Sequence, residues 1–311
     1  MTTFADRDGH IWFDGELIPW RDAKVHVLTH TLHYGMGVFE GVRAYPQQDG
    51  SGPAIFRLAD HTKRLLNSAH ILGMDIGLSA ETLNQAQREA VRANDLNSAY
   101  LRPMCFYGSE GMGLRADNLK VHTMVAAWEW GAYLGDENMQ RGIRIRTSSY
   151  TRHHVNITMC KAKANGNYIN SMLALADAQR DGYDEALMLD VEGFVAEGSG
   201  ENFFMVADDV LYTPDLTSAL DGITRKTIFH LAEKNNIKIK EKRITRDEVY
   251  AADEAFFTGT AAEVTPIREL DGRNIGAGTR GPMTELLQSQ YFDLVHGRLD
   301  GYHDWLTPVN Q

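Results

Sequence analysis

The sequence predicts a two-domain α/β protein, and three observations carry that expectation. At 311 residues the chain exceeds the ~100–200 residues of one ordinary domain. Short apolar runs bounded by turn residues alternate with longer stretches of helical periodicity, more regularly in the second half than in the first. No internal repeat, low-complexity segment or charge block interrupts this pattern.

Each element has a local reason. Ile11–Phe13 and Leu17-Ile18 flank Asp14-Gly15, a strong two-residue hairpin signal. Val38–Tyr45 and Ala54–Phe56 have strand character. From Asp60 to Leu72 the residues Leu65, Leu66, Ala69 and Leu72 recur at helical spacing, with Arg64 off the stripe. A second helix is expected from the cap candidate Ser79 to about Asn94. Ala99–Tyr107 and Val121–Trp128 read as buried strands around a glycine-rich loop, Gly108–Gly113. Gly131–Gly135 breaks the pattern and a new block opens near Asn138. The expected division is therefore a domain over 1–130, a linking loop over 131–138 and a domain over 139–311.

In the second half, Ile143–Thr147 and Ala186–Asp190 are strand-like, and Asp208-Asp209 turns Phe203–Val206 back onto Val210–Tyr212. Helices are expected over Tyr168–Arg180, Thr224–Lys234, Thr245–Ala251 and Pro282–His296. Thr245 with Glu248 makes a capping box.

Composition excludes some functions. A net charge of −11 and a pI near 5.5 disfavour nucleic acid and anionic membrane surfaces as partners. No run of ~18 apolar residues predicts a membrane span, and the N-terminus lacks the apolar region of a secretory signal. Cys105 and Cys160 form no C-x-x-C pair, so a reduced cytoplasmic compartment is expected. Glu40 stands where a dinucleotide fingerprint beginning at Gly35-Met36-Gly37 needs its third glycine. There is no P-loop, and Gly198-Ser199-Gly200 is not a hydrolase elbow. His26, His30 and His33 have helical ligand spacing, and His153-His154 adds a pair. No H-E-x-x-H and no carboxylate at ligand spacing accompany them, so structural histidines and no metal are expected.

Four stretches carry chemistry. Lys161-Ala-Lys163 would project two lysines from one face if extended, just before the turn Asn165-Gly166-Asn167 and a helix. A lysine so placed can serve as a nucleophile once uncharged; a solvated surface pair is the competing reading. Gly222-Ile223-Thr224-Arg225 opens a helix, where free amides and the helix dipole suit a phosphate. Phe257–Glu263 is rich in small residues that let backbone approach a ligand. Val195–Asn202 sets the carboxylate of Glu197 before a glycine turn. Each also has a bland reading, as a plain helix start, a tight turn and a polar hairpin.

Together with these, the runs His33–Tyr45, Ala99–Pro103, Glu110–Gly113, Trp130–Tyr133, Lys163–Tyr168, Glu197–Asn202, Gly222–Arg225 and Gly259–Glu263 give the chain its resemblance. It resembles the branched-chain amino-acid aminotransferases of the fold-type IV class of pyridoxal-phosphate enzymes, over nearly its whole length. The resemblance implies a small N-terminal α/β domain and a larger C-terminal domain with a pseudo-barrel sheet. It implies pyridoxal 5'-phosphate as cofactor and Lys163, rather than Lys161, as the Schiff-base lysine and proton shuttle. Glu197 is implied at the pyridine nitrogen, Tyr168 at the phenolic oxygen, and Arg64, Ile223, Thr224 and Thr260 at the phosphate, with Gly259 also binding the cofactor. Tyr34, Phe39, Gly41, Trp130, Tyr133 and Ala261 are implied around the substrate side chain. Tyr100 and Arg102 are implied on the carboxylate side. Met112 and Leu114 are implied to reach a neighbouring subunit's site in a homodimer or homohexamer.

The implied reaction exchanges amino groups between leucine, isoleucine or valine and 2-oxoglutarate, giving branched-chain 2-oxo acids and L-glutamate. The alternatives within the class are an (R)-amine transaminase, a D-amino-acid transaminase, whose R-x-H carboxylate trap does not follow Arg102, and an aminodeoxychorismate lyase. From other classes, a metal-dependent hydrolase using the histidines and a cofactor-free binding module both imply a colourless protein. Two departures stand out: the second cation at Lys161, and Asp221 where many relatives have proline. The Asp221 side chain is expected to point outward.

Overall fold

The computed structural model describes residues 3–131 and 135–310. The chain separates into two compact units, residues 1–130 with 162–166 and 295–311, and residues 131–161 with 167–294. Two stretches of the C-terminal half thus belong to the first unit, among them the one that holds Lys163.

Among the described residues the first unit has an eight-stranded sheet. Its path runs through Leu306–Pro308, Pro53–Phe56, Val42–Pro46, Ala99–Tyr107, Val121–Trp128, His10–Phe13 and Glu16–Pro19, with Gly37–Phe39 also paired to Ala99–Tyr107. The hairpin at Asp14-Gly15 forms as its turn chemistry requires, pairing Phe13 with Glu16. The helices Leu58–Ile71 and Ala80–Arg92 bury Leu65 and Leu83, each such side chain contributing ~1.5–3 kcal/mol. Ser79 caps the second helix, its Oγ accepting the Thr82 N–H at 3.1 Å.

One expected strand is two. Val38–Tyr45 breaks at Glu40-Gly41 into Gly37–Phe39 and Val42–Pro46, both antiparallel to Ala99–Tyr107. The break turns Glu40 into the interior, where it is fully buried, and lets Gly41 pass the Tyr100 hydroxyl. A Cβ there would sit 2.1 Å from that oxygen.

The second unit has, among the described residues, a nine-stranded sheet. Its order is Val195–Gly198, Glu185–Leu189, Ile143–Thr147, Glu263–Leu270, Glu254–Gly259, Asn202–Ala207, Val210–Thr213 and Ile239–Glu241, with Arg273–Asn274 beside Glu263–Leu270. Its core gathers Ile143, Ile145, Phe203, Phe257, Val249 and Ile267. The capping box at Thr245 and Glu248 is present. The helix Tyr168–Arg180 buries its small face, Ser171, Ala174 and Ala178, while Ile169, Met172 and Leu173 on the apolar stripe are 63%, 69% and 44% exposed.

Candidate active site

In the first unit the site is organised by one face of the helix Leu58–Ile71. His61, Arg64 and Ser68 stand at i, i+3 and i+7 and so share that face. Arg64 grips Glu40 with both arms, Nε to Oε1 at 2.6 Å and Nη2 to Oε2 at 2.8 Å, and His61 Nδ1 lies 2.7 Å from Glu40 Oε2. Ser68 Oγ accepts the backbone N–H of Lys163 at 3.0 Å. The Lys163 carbonyl accepts the Phe39 N–H at 3.1 Å, and Val38 bridges Ala164. The backbone of Lys163 is therefore held on both sides, and its Nζ sits 5.0 Å from the centre of the Phe39 ring.

Burial alone would push the Glu40 carboxyl up, but the Arg64 charge and the hydrogen bonds from Arg64 and His61 hold it well below the usual carboxylate range. Burial lowers the His61 imidazole, with the Arg64 and Lys163 charges adding to it against the pull of Glu40. Both shifts have the same sign for stability: the unfolded chain binds more protons, so stability is lost as pH falls. The His61 share goes below its ordinary value of 6.5, and the Glu40 share below 4.5. Glu40→Gln is expected to lower stability at pH 7 by about 1.5–3 kcal/mol and to flatten the loss below pH 4.5. Thermal melts from pH 7 to pH 3 read this directly; parallel acid limbs in the two proteins would exclude it.

Around Phe39 the substrate-side residues meet. The Arg102 guanidinium lies 4.7 Å from the Phe39 ring centre and reaches the Tyr100 hydroxyl at 3.4 Å; its Nε is buried without a hydrogen-bond partner among the described residues. Trp130 meets Tyr100 edge-on at 4.7 Å. Tyr34 stands apart from that group, its hydroxyl accepting the Gly113 N–H at 3.2 Å, so it anchors the loop that carries Met112 and Leu114. Those two are exposed, Leu114 at 90%. Tyr133 lies outside the described residues. The histidines hold backbone: His30 Nε2 is 2.7 Å from the Gly113 carbonyl and His33 Nε2 2.9 Å from that of Val27. Among the described residues no group of three possible ligands could hold a metal ion.

In the second unit Glu197 is buried on the strand Val195–Gly198, where a register shift between Val195 and Glu197 re-aims the side chain, as bulges do. Its Oε1 accepts from Arg152 Nε at 2.7 Å and its Oε2 from the Leu220 N–H at 3.2 Å. Two residues beyond Leu220, Gly222 starts the helix Ile223–Lys234 with no side-chain cap. Ile223 and Thr224 are buried there. A Cβ on Gly222 would lie 1.9 Å from Asn202 Oδ1, so any other residue at that turn has to displace the Asn202 amide. Gly259 ends the strand Glu254–Gly259, Thr260 and Ala261 follow it, and all three are half-buried; Tyr168 opens its helix. Asp221 pairs with Lys226 at 2.6 Å, its side chain 39% exposed.

Sequence reasoning missed the groups that orient the site. Arg152 is 45 positions from Glu197, and no spacing rule links them. Glu40 was visible only as the residue that spoils a dinucleotide fingerprint. The lysine pair separates by unit. Ala162 and Ala164 are buried; Lys161 Nζ goes to carbonyls of the second unit, and Lys163 stays with Phe39.

The class follows from a comparison: the model of the amino-transferase class IV family matches residues 37–270. A branched-chain-amino-acid aminotransferase of Pseudomonas aeruginosa is 66% identical over 307 residues, 99% of each chain. The crystal structure of the Escherichia coli branched-chain amino acid aminotransferase superposes with a TM-score of 0.95 at 44% identity, covering 98% of this chain and 100% of the other. That of the Thermobaculum terrenum enzyme in its PLP form does so with a TM-score of 0.91 at 35% identity, covering 97% and 98%. The chain belongs to the branched-chain-amino-acid aminotransferases, with their fold-type IV architecture. Its relatives support that reading over the (R)-amine and D-amino-acid alternatives.

Proposed function

We propose that the chain transfers amino groups between branched-chain L-amino acids and 2-oxoglutarate with pyridoxal 5'-phosphate. One observation carries this. A single loop ties the buried Glu197 carboxylate, through Leu220, to the start of the Ile223–Lys234 helix, supplying an anion for a ring nitrogen and amides for a phosphate. The chemistry of the donors suits the cofactor: of the second unit, Ile223, Thr224 and Thr260 would hold the phosphate, with Gly259 beside them, Glu197 the ring nitrogen and Tyr168 the phenolic oxygen; of the first, Arg64 would add charge for the phosphate and Lys163 an amine for the aldehyde carbon. When bound, the cofactor supplies an electron sink for the pair left on the substrate α-carbon.

The residues supply the rest. Lys163 Nζ, once displaced from the cofactor by the donor's amine, would take the α-proton of the donor amino acid and pass it to the cofactor carbon, and in the second half-reaction would carry a proton the other way, from that carbon to the α-carbon of 2-oxoglutarate. Its backbone, fixed by Ser68 and Phe39, makes each delivery start from one place. Glu197 is paired in the interior with the Arg152 guanidinium at 2.7 Å, as a buried carboxylate requires. Phe39, Tyr100 and Trp130 offer an apolar wall, with Gly41 leaving room for the Tyr100 hydroxyl. Such a wall separates substrates differing by one methylene by only ~1–3 kcal/mol, so leucine, isoleucine and valine are all accepted. Arg102, with its buried Nε, is the cation for the distal carboxylate of 2-oxoglutarate.

A donor panel with 2-oxoglutarate as acceptor tests the function: L-leucine, L-isoleucine and L-valine turn over, while D-alanine and (R)-1-phenylethylamine do so at least about tenfold more slowly. No turnover of L-leucine by cofactor-loaded protein would sink the proposal.

The enzyme works as a homodimer or homohexamer. The outward apolar stripe Ile169, Met172 and Leu173 supports this, because large apolar groups grouped on one helix face mark an interaction surface. Met172→Glu together with Ile169→Glu is expected to shift the mass measured by light scattering towards the monomer. An unchanged mass would remove this helix from the interface.

A further inference from the structure

Lys161 stands two positions before Lys163 and takes no part in the chemistry above. Its Nζ donates to the Ala219 carbonyl at 2.8 Å and to the Leu216 carbonyl. An ammonium has donors only, and here it pins two carbonyls of one turn. Residues 214–222 lie in no helix or strand, so this stretch depends on side chains to keep its path. It is nevertheless packed inside, with Ser218 and Ala219 buried. Asn202 Nδ2 holds the Leu220 carbonyl at 3.0 Å, and the Asp215 carboxylate accepts the Thr217 N–H at 2.8 Å. The same stretch presents the Leu220 N–H to Glu197 and ends on Gly222, the cap of the Ile223–Lys234 helix.

We infer that Lys161 is a positioning residue: its ammonium clamps residues 216–219 and thereby sets both the Leu220 amide on Glu197 and the helix start that would take the cofactor phosphate. The inference rests on the aminotransferase reading. Groups that orient site residues are worth on the order of tenfold to a hundredfold in ligand affinity. Lysine suits the task because a compact ammonium on a flexible stem can serve two carbonyls at once. Asp221, on the same stretch, pairs with Lys226 at 2.6 Å and pins neither of the carbonyls that Lys161 holds, since a carboxylate has no donor.

The test compares wild type, Lys161→Met, Lys161→Arg and Asp221→Ala. Each apoprotein is titrated with pyridoxal 5'-phosphate and followed by visible absorbance. Lys161→Met is expected to raise the apparent Kd on the order of tenfold to a hundredfold, Lys161→Arg to stay within about threefold by keeping the charge, and Asp221→Ala to match wild type. At saturating cofactor, kcat for L-leucine in Lys161→Met is expected to recover to within about tenfold of wild type, because Lys163 is untouched. A Lys161→Met protein that binds like wild type overturns the inference. So does an Asp221→Ala protein that loses affinity equally, since general loosening of the stretch would then suffice. Wild type that binds no cofactor overturns this inference and the proposed function together.

Discussion

Lys163→Ala is expected to lower transamination between L-leucine and 2-oxoglutarate by at least about a thousandfold, the upper part of what a positioned proton-transfer group contributes. The loss is chemical rather than structural. Two anchors of residue 163 are main-chain groups, its N–H on Ser68 and its carbonyl on the Phe39 N–H, and alanine keeps them. What goes is the amine 5.0 Å from the Phe39 ring centre. The variant should fold with wild-type circular dichroism, lack the violet absorbance of a cofactor held covalently, and regain none when excess cofactor is added. Violet absorbance that survives in Lys163→Ala would move the nucleophile elsewhere, Lys161 being the first place to look.

Glu197→Gln is expected to have the next largest effect, and a double variant separates its two components. Glu197 and Arg152 are both buried, with side chains 5% and 8% exposed. Removing one member of a buried pair leaves the other charge uncompensated and costs about 3–5 kcal/mol. Arg152 also donates to Asn170 at 3.2 Å and Ser171 at 2.9 Å, so part of its hydrogen bonding survives and the lower figure is the expected one. Activity should fall by about a hundredfold or more, because a neutral amide no longer stabilises positive charge on the ring nitrogen. Adding Arg152→Met removes the stranded cation and should recover most of the stability, but none of the activity. Urea unfolding and steady-state kinetics on both variants measure the two components. Recovery of activity in the double variant would show that Glu197 acts through folding alone.

The sequence read the local elements well where the physics is local. The Asp14-Gly15 hairpin, the Ser79 cap, the Thr245 capping box and the helix opening at Gly222 each depend on residues within a few positions of one another. The split at Glu40-Gly41 was not legible, because an apolar run of strand formers gives no sign of where a ladder must break to bury a carboxylate. The parity of Lys161 and Lys163 misled for a related reason. Alternation holds for the buried Ala162 and Ala164, but it does not say which carbonyls a long side chain will reach.

By itself, then, the sequence determined those secondary elements whose signals are local, the absence of a dinucleotide or P-loop signature, and, through its resemblance, the family and the identity of Lys163 and Glu197 as the residues to watch. Tertiary structure alone decided what surrounds them. Glu40 meets Arg64 from 24 positions away, Arg152 meets Glu197 from 45, and Lys161 meets Ala219 from 58. Charge pairing and buried hydrogen bonds depend on distance in space and on exclusion of water, and neither is a property of spacing along the chain. The outward stripe on the Tyr168–Arg180 helix follows the same rule: periodicity marks an apolar face, and only packing decides whether that face meets the core or another molecule.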